Sequence, residues 1–307
     1  MKNDDRLNNY IILAKNQYLN GNKSKSIELY RKALEFTGEL KNYIAILFNM
    51  AYISDEIGEI EKALELYEKI LDIKEDEAGA YYGIAMSSEK LGDRQKAIIY
   101  YNKAIEIDPE YDRAYYYAAD LYDKLGDQDK ALEYYLKVTE LKPEDYIAYN
   151  NVASIYEENG KYTKALQMVR ESLAIEKSYY KSLFNMGVIQ NRLGNSKQAV
   201  GFYFRAIEEN PYFWQSFLNI SAIYIAEREY KKTVSILSKG IEKNPSAHDL
   251  YYNRACAYSI LEENENALSD IEKAVELLPE IVKYVRQDKD FLALHGDDRF
   301  KKIVEDK

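Results

Sequence analysis

A glycine recurs every 34 residues through most of the chain, at Gly58, Gly92, Gly126, Gly160 and Gly194, with Gly21 one step of 37 residues earlier. A fixed period of this length marks stacked supersecondary units, each burying its apolar face only against its neighbours. Other residues keep the same frame. Seven residues before the glycines stand Ala14, Ala51, Ala85, Ala119, Ala153 and Gly187, and the frame continues to Ser221 and Ala255, although the glycine has become Arg228 and then Glu262. Five residues after the anchor stand Ser26, Ala63, Ala97, Ala131, Ala165, Ala199, Thr233 and Ala267. Nine after it, large residues dominate: Tyr30, Tyr67, Tyr101, Tyr135, Val169, Tyr203, Leu237 and Ile271. Seventeen after it fall Pro109, Pro143, Pro211, Pro245 and Pro279, all five prolines of the chain.

Each column has a physical reason. Helices approach to about 8–10 Å only where small side chains lie at the contact, which explains the paired alanine columns, and the large residue fills the space beside them. Glycine accepts the left-handed conformation that a helix C-cap demands. Proline cannot continue a helix but suits the start of one. Each unit therefore reads as helix, tight turn, helix, loop.

These columns resemble the tetratricopeptide repeat, and the stretch Ala114 to Pro143, AYYYAADLYDKLGDQDKALEYYLKVTELKP, is close to its pattern throughout. The resemblance spans eight units: 7–43, 44–77, 78–111, 112–145, 146–179, 180–213, 214–247 and 248–281. The first carries extra residues around Gly38 to Tyr43, and the last two lack the turn glycine. What the resemblance implies is an all-α fold, a right-handed α-α superhelix of about eight helix-turn-helix repeats over residues 1–281, with a helical cap over 282–307. Length alone suggests two domains, but stacked repeats have no single core, and one elongated domain is the better count. Past Pro279 the segments Asp288 to Leu294 and Asp298 to Val304 are similar to the D-x-D-F-x-x-L and D-x-R-F ending of many bacterial repeat proteins. Val282, Val285, Phe291, Leu294, Phe300 and Ile303 are available to cover the last apolar face.

Composition narrows the function. Acidic residues outnumber basic ones 52 to 42, for a net charge of −10, and lysines alternate with glutamates as between Glu59 and Lys69. That is a solvated face, whereas nucleic-acid binding gathers Lys and Arg against phosphates. His248 and His295 are far apart in the repeat order and have no Cys, Asp or Glu partners at metal-ligand spacing. The chain has no Gly-rich phosphate loop, no Gly-x-Ser-x-Gly elbow and no Cys/His pair, and Cys256 reads as a small buried or groove-lining residue. No enzyme, metal, cofactor or small-molecule substrate is expected. No stretch is apolar enough to cross a bilayer, the first residues Met1 to Arg6 form no signal-peptide core, and a lone cysteine makes no internal disulfide, so a cytoplasmic protein is the natural reading.

The expected function is therefore protein or peptide binding. In the family the first helix of each repeat lines a concave groove, and its groove positions map here to thirteen, ten, nine, six, three and two residues before each anchor. Nine before it stand Asn49, Asn151, Asn185, Asn219 and Asn253, interrupted by Gly83 and Tyr117. Asparagine is an indifferent helix former, and its amide offers donors and an acceptor to a peptide backbone. The repeat arm of the O-linked N-acetylglucosamine transferases carries a similar ladder and holds extended polypeptide with it. The alternative is that these amides bond within their own helix pair. One residue earlier run Phe48, Tyr82, Tyr116, Asn150, Phe184, Leu218 and Tyr252, equally suited to core packing and to ligand contact.

Groove charges lean acidic, with Asp55, Glu56, Glu89, Asp120, Asp123, Glu157 and Glu158 against Lys90, Arg113 and Lys124, which favours a basic or neutral segment. Lys181 and Arg192 make the sixth unit more receptive to acid. The chain has the asparagine column of the two-carboxylate clamp by which related domains grip chaperone tails, and Lys181 stands at its lysine place, but the first unit's Lys and Asn are absent and Asn185 replaces the arginine, so chaperone-tail binding is not expected. The resulting expectation is a non-enzymatic scaffold with an extended polypeptide in its groove. The second reading is a regulatory or targeting subunit that docks a catalytic partner through its convex face or C-terminal cap.

Overall fold

In a computed structural model describing residues 3–305, sixteen helices follow one another in eight antiparallel pairs, with a short capping segment after them and no strand among the described residues. Met1, Lys2, Asp306 and Lys307, which the sequence reading assigned to the repeat array and the cap, lie outside the described residues. The chain divides into two compact units, Met1–Glu144 and Asp145–Lys307. The first holds the pairs α1 (Asn3–Leu19) and α2 (Lys23–Leu34), α3 (Leu40–Glu56) and α4 (Ile60–Ile73), α5 (Ala78–Lys90) and α6 (Arg94–Ile107), and α7 (Asp112–Lys124) and α8 (Gln128–Leu141). The second holds α9 (Tyr146–Glu158) and α10 (Tyr162–Ile175), α11 (Tyr180–Arg192) and α12 (Ser196–Glu209), α13 (Gln215–Ala226) and α14 (Tyr230–Lys243), and α15 (His248–Ile260) and α16 (Asn264–Leu277). It ends with α17 (Val282–Gln287), a 3₁₀ turn at Lys289–Leu294 and α18 (Asp298–Glu305).

The small columns are the contact lines. Ala51, Ala85, Ala119, Ala153 and Ala255 are fully buried on the first helices, as are Ala63, Ala97, Ala131, Ala165, Ala199 and Ala267 on the second. The large residues beside them are also buried, and apolar clusters succeed one another within each unit in place of one central core.

The turn inside each pair is closed by two backbone bonds. In the third pair Gly92 N donates to Glu89 O (2.9 Å) and Asp93 N to Ser88 O (3.0 Å), with Gly92 at φ +82°. Arg228 and Glu262 adopt the same conformation at φ 60°, with Arg228 N bonded to Ile225 O (2.9 Å) and Glu229 N to Tyr224 O (2.8 Å). The frame thus survives where its marker residue is lost. A left-handed non-glycine costs about 1–2 kcal/mol, and glycine returns part of that through the freedom of the unfolded chain, about 0.5–1 kcal/mol. Arg228→Gly is therefore expected to stabilise the protein by about 0.5–1 kcal/mol, read as a rise in melting temperature. Gly126→Ala should lower it by a similar margin.

Four of the prolines act otherwise than the sequence suggested, whereas Pro279 does open a helical turn, Pro279–Ile281. Pro109 precedes the start of α7 at Asp112 by three residues, and the residue before it, Asp108, is the extended C-cap of α6 at φ −126°, ψ 93°. Proline forces its predecessor out of the helical region, so it stops the second helix of a pair more than it starts the next. Lys74 and Glu176 take the same extended shape without a proline after them.

Two polar features tie unit two together. Asn150 Oδ1 accepts from Ser182 Oγ (3.0 Å), Ser182 Oγ lies 2.6 Å from Ser172 Oγ, and Ser172 Oγ donates to the Tyr146 carbonyl (2.7 Å). One repeat on, Ser216 holds the place of Ser182, but Ala206 and Phe184 stand where Ser172 and Asn150 did, and the buried Ser216 hydroxyl has no partner among the described residues. In the last pair Arg254 clasps Asp270 with Nε on Oδ2 (2.7 Å) and Nη2 on Oδ1 (2.8 Å), its Nη1 reaches Ser238 Oγ (2.8 Å), and its guanidinium lies over the rings of Tyr251 and Tyr258.

The capping segment closes the far end of this pair. Val282, Val285, Phe291, Leu294 and Phe300 are buried in one cluster with Ala267, Ile271 and Val275, and Ile303 packs against it. Ser259 Oγ donates to the Asp290 carbonyl (2.6 Å), and the Tyr252 hydroxyl and the Cys256 thiol both donate to Asp288 Oδ2. Burial, reinforced by Asp288 and Asp290, pushes the Cys256 thiol up, away from the thiolate form. Sulfur and both carboxylates lie within 4.8 Å of one another, and their hydrogen bonds fasten the cap.

Candidate functional site

A cleft of about 400 Å³ opens on unit one across three successive first helices. Helix α3 contributes Phe48, Asn49 and Tyr52, α5 contributes Gly79, Tyr82, Gly83 and Met86, and α7 contributes Arg113 and Tyr117, with Tyr67 and Tyr111 completing the wall. All but the last two occupy offsets thirteen, ten, nine or six before a turn glycine. Equivalent positions of neighbouring repeats thus converge on one site. Periodicity produces this directly, because an offset that faces outward on one first helix faces the same way on the next.

The walls are aromatic and ordered by one another. Tyr82 meets Tyr111 edge to face at 5.2 Å and Tyr117 at 6.0 Å, Tyr117 stacks on Tyr101 at 6.1 Å, and Phe48 lies 6.2 Å from Tyr67. Tyr116 packs edge to face on Tyr135 at 5.6 Å and against Tyr117 at 5.5 Å. The column of Phe48, Tyr82 and Tyr116 therefore packs on the tyrosine of its own second helix, and Phe48 and Tyr82 also line the cleft. Burial pushes the Tyr67, Tyr82 and Tyr111 hydroxyls up, so they stay protonated and able to donate.

Gly83, which breaks the asparagine ladder, is a contact: a Cβ there would overlap the Tyr67 ring. Completing the ladder with Gly83→Asn should therefore destabilise the protein, by the overpacking range of about 1–3 kcal/mol. A lower melting temperature would show it, whereas an unchanged one would mean that the Tyr67 ring is free to yield.

The groove charges are largely neutralised in place. Asp55, which is buried, pairs with Lys90 and accepts from Ser87 Oγ (3.2 Å). Glu56 lies 3.5 Å from Lys23 and accepts from the Tyr52 hydroxyl, Glu89 accepts from the Tyr101 hydroxyl, and Asp120 lies 2.5 Å from Lys124. Glu157 pairs with Arg192 at 2.9 Å. Arg192 therefore shares its charge with Glu157, which lessens the receptiveness to acid that the sequence suggested. Arg113 is exposed and makes no ion pair among the described residues. The net acidity of the sequence is consequently not the local character of the cleft.

The asparagines divide. Asn49, Asn219 and Asn253 each donate from Nδ2 to the carbonyl four residues back, on Ala45 (2.7 Å), Gln215 (3.0 Å) and Asp249 (2.8 Å). One donor of each amide is thus used within its own helix, as the alternative reading held. Asn185 Nδ2 donates to Asn150 Oδ1 (3.0 Å), and Asn151 is half-buried on α9. Asn150 is 4% exposed and belongs to the inter-repeat hydrogen-bond chain, which corrects its placement as an open groove residue. Tyr252 is corrected likewise: its hydroxyl is held by Asp288 and its ring lies 5.8 Å from Phe291, so the cap occupies it. Phe184 packs on Tyr203 (5.5 Å) and Phe213 (5.0 Å), Leu218 joins the same apolar cluster, and Lys181 is exposed with no ion pair among the described residues.

Tyr111 was missed. It stands fifteen residues before Gly126, and the same offset holds Tyr179 and Phe213, a column visible in the sequence. The edge-to-face pair of Tyr82 with Tyr111 recurs as Phe184 with Phe213.

Serial helix pairs with this turn geometry and packing define a helical-repeat protein. Two models of the tetratricopeptide repeat match the sequence, one over 44–77, 78–111 and 248–280 and the other over 100–133 and 134–167, together just over half of the chain. The chain belongs to the tetratricopeptide repeat family. A tetratricopeptide repeat protein from Parabacteroides merdae is similar at 19% identity and a TM-score of 0.63, over 79% of this chain and 96% of that one. PilF of Pseudomonas aeruginosa is similar at 16% and 0.58, over 71% and 96%, and a chain of the APC/C hetero-tetramer Cut9–Hcn1 at 16% and 0.58, over 96% and 55%. At such identities the likeness is one of fold. No curated protein matches the sequence. Proteins of this family generally act as interaction scaffolds that bind protein or peptide partners. No helix of the described residues is long and apolar enough to cross a membrane.

Proposed function

We propose that this protein is a non-enzymatic scaffold that holds an extended polypeptide segment along the groove face of its first helices. The observation that carries this reading is the unit-one cleft, in which the same repeat offsets of α3, α5 and α7 present rings, an amide and a guanidinium side by side. A row of equivalent side chains on parallel helices suits a ligand that is itself linear. Tyrosine provides contact area with a polar tip at small entropic cost. A net hydrogen bond contributes about 0.5–1.5 kcal/mol, and ordering a peptide residue costs about 1–2 kcal/mol, so apolar contact must supply most of the binding. The expected affinity is micromolar to millimolar.

The test is fluorescence anisotropy of the full chain with a panel of labelled, unstructured peptides, repeated with the double variant Asn49→Ala, Tyr117→Ala. Loss of at least tenfold in affinity, with the helical circular dichroism signal kept at the assay temperature, supports the groove. Undiminished binding by the variant removes it and favours docking through the opposite face or the cap.

A further inference from the structure

We infer that the unit-one cleft selects a proline-rich segment in the polyproline II conformation, a specification that rests on the groove reading above. The first argument is the hydrogen-bonding character of the wall. The Tyr82, Tyr111 and Tyr117 hydroxyls make no hydrogen bond to protein among the described residues, and Arg113 adds five N–H groups that no carboxylate holds. The nearby carboxylates that could accept from a peptide N–H, Asp55, Glu56 and Glu89, are already paired with Lys90, Lys23 and the Tyr101 hydroxyl. Asn49 Oδ1 is the one side-chain amide acceptor of the lining, so the cleft offers more donors than acceptors to a ligand. An ordinary extended peptide brings N–H groups that would find few partners there. A proline-rich one brings bare carbonyls and few N–H groups.

The second argument is shape. Phe48, Tyr82 and Tyr117 stand on three successive first helices, Tyr82 and Tyr117 tilted against one another and Phe48 against Tyr67, and apolar prolyl rings pack well on such aromatic surfaces. The ligand arrives already extended, which reduces the entropy lost on binding.

The experiment measures anisotropy of a labelled oligoproline of about ten residues against the full chain, with a glycine/serine peptide and an acidic peptide of equal length as comparisons. Saturable binding of oligoproline at least tenfold tighter than of either comparison is expected. Tyr82→Phe with Tyr117→Phe keeps both rings but removes two donors, and should weaken oligoproline at least fivefold without moving the melting temperature. The proposal is overturned if the glycine/serine peptide binds equally well, if the acidic peptide binds best and depends on Arg113, or if the double phenylalanine variant binds oligoproline undiminished. Should the peptides of the wider panel bind and respond to Asn49→Ala, Tyr117→Ala while oligoproline does not, the groove reading stands and the choice of ligand falls. Should nothing bind, both fall.

Discussion

Deletion of residues 280–307 is expected to expose the end of unit two, lowering soluble yield and producing dye binding to apolar surface, while most of the helical signal is kept. Ile281, Val282, Val285, Phe291, Leu294 and Phe300 are all nearly inaccessible against α15 and α16. Each such side chain contributes about 1.5–3 kcal/mol on burial, so the last helix pair loses far more than a point substitution removes. The loss stays local because each repeat rests on its neighbours. Far-ultraviolet circular dichroism checks it: the signal should fall by the removed helices and some fraying of α15 and α16. Complete loss of helix on this truncation would show a global core and contradict a stack of repeats.

Asp270→Ala is expected to be among the most damaging point substitutions. The carboxylate is 5% exposed and receives two hydrogen bonds from Arg254, whose guanidinium is enclosed by Tyr251 and Tyr258. Removing one partner of a buried pair leaves the other charge uncompensated, at about 3–5 kcal/mol. Urea denaturation should show the midpoint falling accordingly. The double variant Arg254→Met, Asp270→Leu should recover most of the loss, because apolar side chains of similar volume avoid the cost of burying charge. A single substitution that shifts the midpoint no more than an exposed control would mean that water reaches Arg254.

Much of the fold was legible because its cause is local and repeated. The alanine columns mark helix contacts, the tyrosines nine residues after the anchor fill the space beside them, and the frame carried through Arg228 and Glu262, where only the spacing remained. Of the groove offsets read from the sequence around Gly58, Gly92 and Gly126, half line one cleft. What escaped was pairing between repeats. Asp55 with Lys90 and Glu157 with Arg192 are both separated by 35 residues, an acid three before one anchor and a base two before the next. Read singly these were groove charges; only side-by-side placement of the helices makes them neutralise each other. Asn150 looked like a groove residue by offset and proved buried, because Ser182 and Ser172 opposite it supply the hydroxyls that make burial tolerable. Tyr252 was lost to the groove because the segment that covers it lies outside the repeat frame.

The two left-handed turns at Arg228 and Glu262 bear on how unit two breathes. Their backbone holds a shape that the side chain disfavours, so the folded state of the last two helix pairs stands closer in free energy to a locally opened one than in the pairs turned by glycine. Amide protons in the first turns of α14 and α16 should accordingly exchange with solvent faster than those of α10 and α12. The unit is then compliant toward its C-terminal end and stiff toward its beginning, a gradient set by two residues that touch no ligand and fill no core.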